Sequence, residues 1–565
     1  MPKHQSTVNE YIVQALAEYG NLPALSNLHS DVTFSYGDTA REIGRLHLFF
    51  NGIGLKKGDH VAICARNSAE WGVAFLALVT YGAVTVSILA DFQADDIKGL
   101  TLHSDARLLM IDTHTAHALG DERMAEINKS VLGIVELGSL TPYAEPAAVT
   151  AQTLATLPLA TELAETEPSV MFLPKVAELA PDDPVVINYT SGSTGDPKGV
   201  VLPERSIWSN IRYSIDGLTF LNPGDGTICM LPLAHMFGLL VDLLHPFVKG
   251  CHIHFVTRTP SPAVIMDAFA SVKPKLIVSV PLVIEKIIRK KVFPQLEKQP
   301  LKTLVKIPGV CSIIYRKLHN KLIDAFGGNL QQLILGGAGV SADVESFLRK
   351  IRFPFTVGYG MTEAGPLIGY ASWDEQRAGT CGHIVDRMAI RIESKDPANI
   401  PGIIYVKGDN VMTGYYKNRK ATDAVMGADG WMNTGDIGTV GADGLISLRG
   451  RDKNMILGPS GQNIYPEEIE AKLNAVAPVA ESLVIDGDKG QLTALIYLDP
   501  EATEKMSDGE KSAVAAQAVK KVNASLASYE QLRDVVVMKE EFEKTPKRSI
   551  RRFLYTADSV KRING

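Results

Sequence analysis

Between Tyr189 and Gly199 the chain reads YTSGSTGDPKG: Thr190, Ser191, Ser193 and Thr194 are interleaved with Gly192, Gly195 and Gly199, and Lys198 closes the run. Glycines let backbone N–H groups turn toward a common point, hydroxyls add donors, and a lysine adds a positive point charge. These are the groups needed to wrap a polyphosphate. The G-x-x-x-x-G-K-[ST] spacing of a Walker A loop is absent. A Gly/Ser-rich hairpin loop without a ligand is the competing reading of the composition; the residue order, the loop length and the lysine favour the phosphate.

More stretches with chemical character follow in order: LILGGAGVS (Leu333–Ser341), GYGMTEAGPLIG (Gly358–Gly369), GWMNTGDIG (Gly430–Gly438) and LRGRDKNMILGPSGQNIYPEEIE (Leu448–Glu470). Together with the first loop they resemble the signature of the adenylate-forming (ANL) superfamily, which includes acyl- and aryl-CoA synthetases, adenylation domains of peptide synthetases and firefly luciferase. In type the chain is most similar to AMP-forming long-chain fatty acid–CoA ligases. The resemblance implies that Thr190, Ser191, Gly192, Ser193, Thr194, Gly195 and Lys198 hold the phosphates of ATP, and that Gly336, Gly337 and Ala338 contact adenine. It implies that Tyr359, followed by Gly360, stacks on the adenine, that Thr362 contacts phosphate, and that Glu363 ligates Mg²⁺ together with Thr190. Asp436 and Arg451 would take the ribose hydroxyls.

These roles are physically sensible. Adenylation brings a carboxylate onto the α-phosphate of ATP, so two anions must approach and the site needs cations, a metal and N–H donors. A carboxylate such as Asp436 suits a 2′,3′-diol because it accepts two hydrogen bonds side by side. Other readings stay open: Glu363 as a residue capping a helix start, Tyr359 as a core aromatic, and Asp436 as a turn residue after Gly435.

Members of this superfamily rotate a small C-terminal domain between two half-reactions. The pivot, two residues beyond the arginine, falls on Lys453, which could equally be an exposed turn lysine. The family's usual catalytic lysine lies in a loop of the form T-P-T-G-K-I-R-R. Here the chain reads KTPKRSIRRF from Lys544 to Phe553, with Ser549 where the lysine is expected. Lys547 is the favoured substitute cation, against a solvated basic tail. In MLPLAHMFGLL, His235 corresponds to the gate residue beside the acyl carboxylate, or else is a satisfied core histidine. No acidic residue there offers itself to a substrate ammonium, which favours an apolar acyl chain.

These residues need rigid elements to hold them. Apolar strand-like runs alternate with amphipathic helices: HVAICA before Ser68–Tyr81, TICMLPL before MFGLLVDLLHPF, and KLIVSV before VIEKIIRK. That rhythm predicts parallel sheets covered by helices. After about Ala389 short strands with tight turns predict a small β-rich module, and the tail returns to α/β texture. The expected fold is α/β: a large N-terminal domain (1–451) of stacked mixed or parallel sheets with helices plus a β-rich subdomain, and a small mobile α+β C-terminal lid (452–565). The Ala/Thr/Pro-biased stretch AEPAAVTAQTLATLPLATELAETEP reads as surface linker. Trp71–Ala90 carries no charge, but an N-cap at Asn67 or Ser68, Gly82 and the β-branched AVTVSIL predict a buried helix followed by a buried strand, not a membrane span.

The 565 residues exceed what one core can organise. A net charge of −6 argues against nucleic acid as a partner, since neutralising phosphates needs a basic face. The cysteines, Cys64, Cys229, Cys251, Cys311 and Cys381, are widely spaced and read as reduced thiols of a cytoplasmic protein. The N-terminus reads as an amphipathic first helix rather than a signal peptide. Residues 285–321 hold ten Lys/Arg against two Glu, interleaved with apolar residues. They suit a peripheral contact with an anionic membrane at its inner surface, or a solvated helical face.

The expectation is an ATP-dependent, AMP-forming ligase that activates a medium- or long-chain fatty acid as acyl-adenylate and passes it to coenzyme A, using Mg²⁺. It is expected to be a monomer or homodimer. An acyl-AMP ligase or acyl–carrier-protein synthetase would share every adenylation motif, and Ser549 keeps open a catalytically weakened acyl or nucleotide binder.

Overall fold

The computed structural model describes residues 7–158, 176–190, 197–258, 261–305, 307, 309–458, 462–487, 491–545 and 550–559. Its main sheet has seven strands, running Gly414–Tyr415, Lys198–Pro203, Pro184–Thr190, Val84–Ile88, His60–Cys64, Leu108–Ile111 and Ile134–Glu136 from edge to edge. The five strands from Pro184–Thr190 to Ile134–Glu136 are parallel; the remaining two join antiparallel. Their near-continuous Val, Ile and Leu content follows from burial on both faces.

The uncharged stretch after Ser68 resolves as the sequence predicts. Ser68 accepts from Trp71 N at 3.2 Å and starts a helix over Ala69–Tyr81, which stops at Gly82 with φ 83°. The buried strand Val84–Ile88 follows. Among the described residues no helix is long and apolar enough to cross a membrane.

A second parallel sheet holds Leu276–Ser279, Gln332–Leu335 and Phe355–Val357. The β-rich module is a four-stranded antiparallel sheet of Met388–Glu393, Gly402–Gly408, Met432–Val440 and Ile446–Arg451. Beyond it, helices Pro466–Asn474 and Asp508–Asn523 pack on the sheet Val479–Asp486, Leu492–Leu498 and Asp534–Val537 around a separate core containing Leu473, Ile496 and Val519.

One expectation changes. The Ala/Thr/Pro-biased stretch is not all linker: Ala148–Thr156 is a helix, its Thr150 is buried and donates to Leu132 O at 2.9 Å, and Thr153 lies against Gly52, where a Cβ would sit 2.3 Å away. Small side chains at helical spacing allow that close approach. The basic segment runs as Pro281–Ile287, a π-helical turn at Ile288–Val292, then Phe293–Leu296, Leu301–Leu304 and Val310–Ala325, with Pro300 and Gly309 at the starts of the last two helices. All five cysteines are free, four of them buried.

Candidate active site

The hydroxyl-rich loop is carried by the hairpin Pro184–Thr190 and Lys198–Pro203, whose last pair sets Thr190 opposite Lys198. Thr190 Oγ1 donates to Lys198 O at 3.4 Å, closing the base of the loop. Ser191, Gly192, Ser193, Thr194 and Gly195 lie outside the described residues. One step earlier on the same strand, buried Asn188 donates to Ala234 O at 2.5 Å, and Leu233 N donates to Asn67 Oδ1 at 2.9 Å. These bonds place half-buried His235 beside the hairpin.

The edge strand next to Lys198–Pro203 contributes a residue that the motifs did not mark. Tyr415 pairs with Val200, and its hydroxyl donates to Glu363 Oε1 at 2.9 Å. The Lys198 ammonium sits 5.1 Å from the centre of the Tyr415 ring, a cation–π distance. Burial and the Glu363 charge push the Tyr415 hydroxyl far above its usual pKa, so it remains a donor. Glu363 itself lies in the single helical turn Thr362–Ala364, fixed by Met412 N donating to Glu363 O at 2.9 Å. Thr190, Lys198, Thr362 and Glu363 are therefore brought to one end of the main sheet.

The nucleoside candidates also converge. Tyr359 is only 4% exposed, and its hydroxyl donates to Asp436 Oδ2 at 2.7 Å. Arg451 stands opposite Asp436 on the neighbouring strand, its Nε 2.8 Å from Oδ1 in an ion pair. Burial raises the Asp436 pKa, and the Arg451 charge and the Tyr359 hydrogen bond work against that rise. A carboxylate has about four lone-pair sites, so these two contacts leave room for a diol. Gly336 accommodates the Phe237 ring: a Cβ there would lie 2.8 Å from it, so the glycine joins the segment after His235 to the adenine motif. Gly337 has φ 82°, a conformation that favours glycine, and both it and Ala338 are exposed. Gly360 passes close to Pro366 O, where a Cβ would clash at 2.3 Å.

Lys453 is exposed in the turn Asp452–Asn454, which fits the turn-lysine reading of the sequence. Partial desolvation of its ammonium, and then the like charges of Arg451 and Lys198, lower its pKa. Lys198, Arg451 and Lys453 thus lie near enough to repel one another, an electrostatic field that would be relieved by a bound polyphosphate. Among the described residues no three His, Cys, Asp or Glu side chains form a metal cluster. The Glu363 carboxylate and the Thr190 hydroxyl are oxygen donors of the kind that fits Mg²⁺, which takes few protein ligands and completes its shell with phosphates and water.

Lys547 and Ser549 lie outside the described residues. The loop that carries them is closed by a bridge between Lys544 and Ile550. Lys544 is bound to Glu481 at 2.6 Å and to Glu541. Tyr415 and Asn188 were not marked by sequence; the first gives only a Gly-Tyr-Tyr signal, and the second none.

A family model described as AMP-binding enzyme matches residues 12–416, and one described as AMP-binding enzyme C-terminal domain matches 453–564. A long-chain-fatty-acid–CoA ligase, FadD15 of Mycobacterium bovis, is 26% identical over 579 residues, covering 94% of this chain and 91% of the relative. A 4-coumarate–CoA ligase of Oryza sativa is 27% identical over 533 residues, covering 91% and 88%. The ATP-bound crystal structure of MatB from Rhodopseudomonas palustris superposes with a TM-score of 0.74 at 21% identity, covering 97% of this chain and 98% of that one. The ordered motifs, the convergence of their side chains and the match over most of the chain lead to one conclusion: this chain belongs to the AMP-binding enzyme family.

Proposed function

We propose that this AMP-forming acid–CoA ligase activates a medium- or long-chain fatty acid and delivers it to the thiol of coenzyme A. The observation that carries the reading is that the cluster of Tyr359, Asp436 and Arg451 and the cluster of Glu363, Tyr415 and Lys198 lie near enough for their charges to act on each other. ATP uses it with the adenine at Tyr359 and Gly336–Ala338, the ribose diol on Asp436 and Arg451, and the phosphates at Thr190–Lys198 and Thr362. Held there by Glu363 and Thr190, Mg²⁺ supplies Lewis-acid charge neutralisation of the phosphates.

The acid enters past His235. Its carboxylate oxygen forms a bond to the α-phosphorus as the bond to the β-phosphate bridge breaks, giving acyl-adenylate and pyrophosphate. Lys198, and Lys547 from the C-terminal loop, oppose the build-up of negative charge. The thiol sulfur then bonds to the acyl carbon and AMP leaves. Tyr415 orients the Glu363 carboxylate through its hydrogen bond, and the Arg451 charge opposes the rise that burial gives the Asp436 pKa. We place the boundary between the domains at Arg451–Asp452, with Lys453 as the pivot on which residues 452–565 turn between the two steps.

An apolar substrate is supported by the names of the fatty-acid ligase relatives and by the absence of an acidic residue from the stretch MLPLAHMFGLL. Exposed Leu282 and Ile313 lie with the lysines of residues 285–321, which we propose rest on an anionic bilayer. The acceptor is tested by mass spectrometry of the products when acyl-adenylate is offered coenzyme A and, separately, a phosphopantetheinylated carrier protein. Acyl-CoA as the main product supports the reading; acyl transfer to the carrier alone replaces it with a carrier-protein synthetase.

A further inference from the structure

The π-helical turn at Ile288–Val292 breaks the regular hydrogen-bond pattern of the basic segment, and such turns often mark functional positions. Two consecutive side chains leave it toward the C-terminal half of the protein. Lys290 pairs with Glu501 at 2.8 Å on the surface. Arg289 does something more specific. Its Nη1 donates at 3.4 Å to the carbonyl of Ala475, the C-cap of helix Pro466–Asn474. Its Nη2 donates to Asp343 Oδ1 at 2.8 Å and to Ser341 Oγ at 2.9 Å.

One guanidinium therefore joins the carbonyl end of a helix beyond the pivot to the first turn of helix Ala342–Lys350 before it. Both placements are favourable: a cation at a helix C-terminus and an acid at an N-terminus each match the helix dipole. Ser341 takes part at some cost. It is the N-cap of Ala342–Lys350, yet its side chain does not cap that helix. Instead Ser341 N donates to Glu285 Oε1 at 2.7 Å, Ser341 Oγ donates to the same oxygen, and Arg289 donates to Ser341 Oγ. Forgoing a cap bond costs about 1 kcal/mol, so the hydroxyl's place in the network needs a compensating gain. Ser341 is also the last residue of the adenine-motif segment Leu333–Ser341.

We propose that Arg289 is a positioning residue that latches the C-terminal domain to the end of the adenine-binding segment, and that this latch opens between acyl-adenylate formation and thioester formation. The proposal rests on the two-step ligase reading with its pivot at Lys453. It assigns the basic segment a role inside the molecule: Arg289 and Lys290 hold the orientation seen in the structure, and opening must break the Ala475 and Glu501 contacts while Asp343 and Ser341 retain Arg289 on the N-terminal side.

The test uses the full chain with Arg289→Ala, Arg289→Lys and Asp343→Asn. Single-turnover rates of the two half-reactions are measured separately, and trypsin cleavage after Arg451 and Lys453 reports exposure of the pivot. Losing a charge-assisted hydrogen bond should change the ratio of the half-reaction rates by about fivefold or more and speed cleavage at the pivot to a similar degree. The melting temperature should stay within about 2 °C of wild type. Arg289→Lys, which keeps the charge but not the forked geometry, should restore part of the ratio. If Arg289→Ala does not fold, Asp343→Asn reads out the same ratio and cleavage. A ratio and cleavage rate equal to wild type would overturn the latch. Lys453→Pro separates the two ideas: if it alters the ratio while the Arg289 and Asp343 variants do not, the latch is wrong and the rotation stands, whereas no effect from any variant removes both.

Discussion

Arg451 and Asp436 face each other across neighbouring antiparallel strands, with Arg451 Nε 2.8 Å from Asp436 Oδ1 in an ion pair. Burial raises the Asp436 pKa, and the guanidinium charge, with the Tyr359 hydrogen bond, opposes that rise. In the proposed nucleotide pose Arg451→Ala removes both that opposition and a donor to the ribose. A hydrogen bond to a charged group contributes roughly 1.5–3 kcal/mol, so the KM for ATP should rise by about 10- to 100-fold, with a much smaller change in the KM for the acid. Steady-state kinetics with each substrate varied in turn checks this.

Glu363 accepts the Tyr415 hydroxyl on one oxygen, and in the proposed site its carboxylate holds the metal. Glu363→Gln should abolish most metal-dependent pyrophosphate release while leaving the melting temperature nearly unchanged. Tyr415→Phe should act more mildly, raising the Mg²⁺ concentration for half-maximal rate several-fold through a less well-oriented carboxylate. A magnesium titration of pyrophosphate release in both variants distinguishes the two roles.

Fully buried Asp242 accepts Met230 N at 3.1 Å and Leu231 N at 3.0 Å, and burial pushes its carboxyl from 3.8 to about 7. Raised in the fold, this group holds a proton there that it loses in the unfolded chain. The stability it contributes is complete below about pH 4 and disappears as the pH rises through about 7. Asp242→Asn should therefore remove part of the decline in unfolding free energy between pH 5 and 8, on the order of 2 kcal/mol. Buried Glu470, also raised to about 7, titrates alike in both proteins, so the difference isolates Asp242. Chemical denaturation across that range is the measurement.

Much of this site was legible in the sequence. Local signals were reliable wherever chain neighbours decide the outcome: Ser68 and Gly82 bound a helix, and β-branched runs form the parallel strands. What escaped depends on contacts between distant stretches. Tyr415 reaches Glu363 only because its short strand adds to the edge of the hairpin at Val200, and no pattern within GYYKN announces that pairing. The same holds for Asn188, whose side chain bonds the backbone at Ala234. The charge pattern of the basic segment did not announce that Arg289 and Lys290 pair with Asp343 and Glu501, which lie far along the chain. The Ala/Thr stretch misled because composition hides that Thr153 fits a gap left by Gly52.

The central claim is that this site joins an apolar carboxylic acid to AMP and then to coenzyme A. The most direct measurement is pyrophosphate release with a panel of straight-chain acids from acetate to palmitate, run with and without coenzyme A and followed by mass spectrometry of the products. The account predicts turnover that rises toward the longer chains, acyl-AMP without coenzyme A, and acyl-CoA with it. Bound ATP with no pyrophosphate from any acid would contradict it and leave the protein a nucleotide binder.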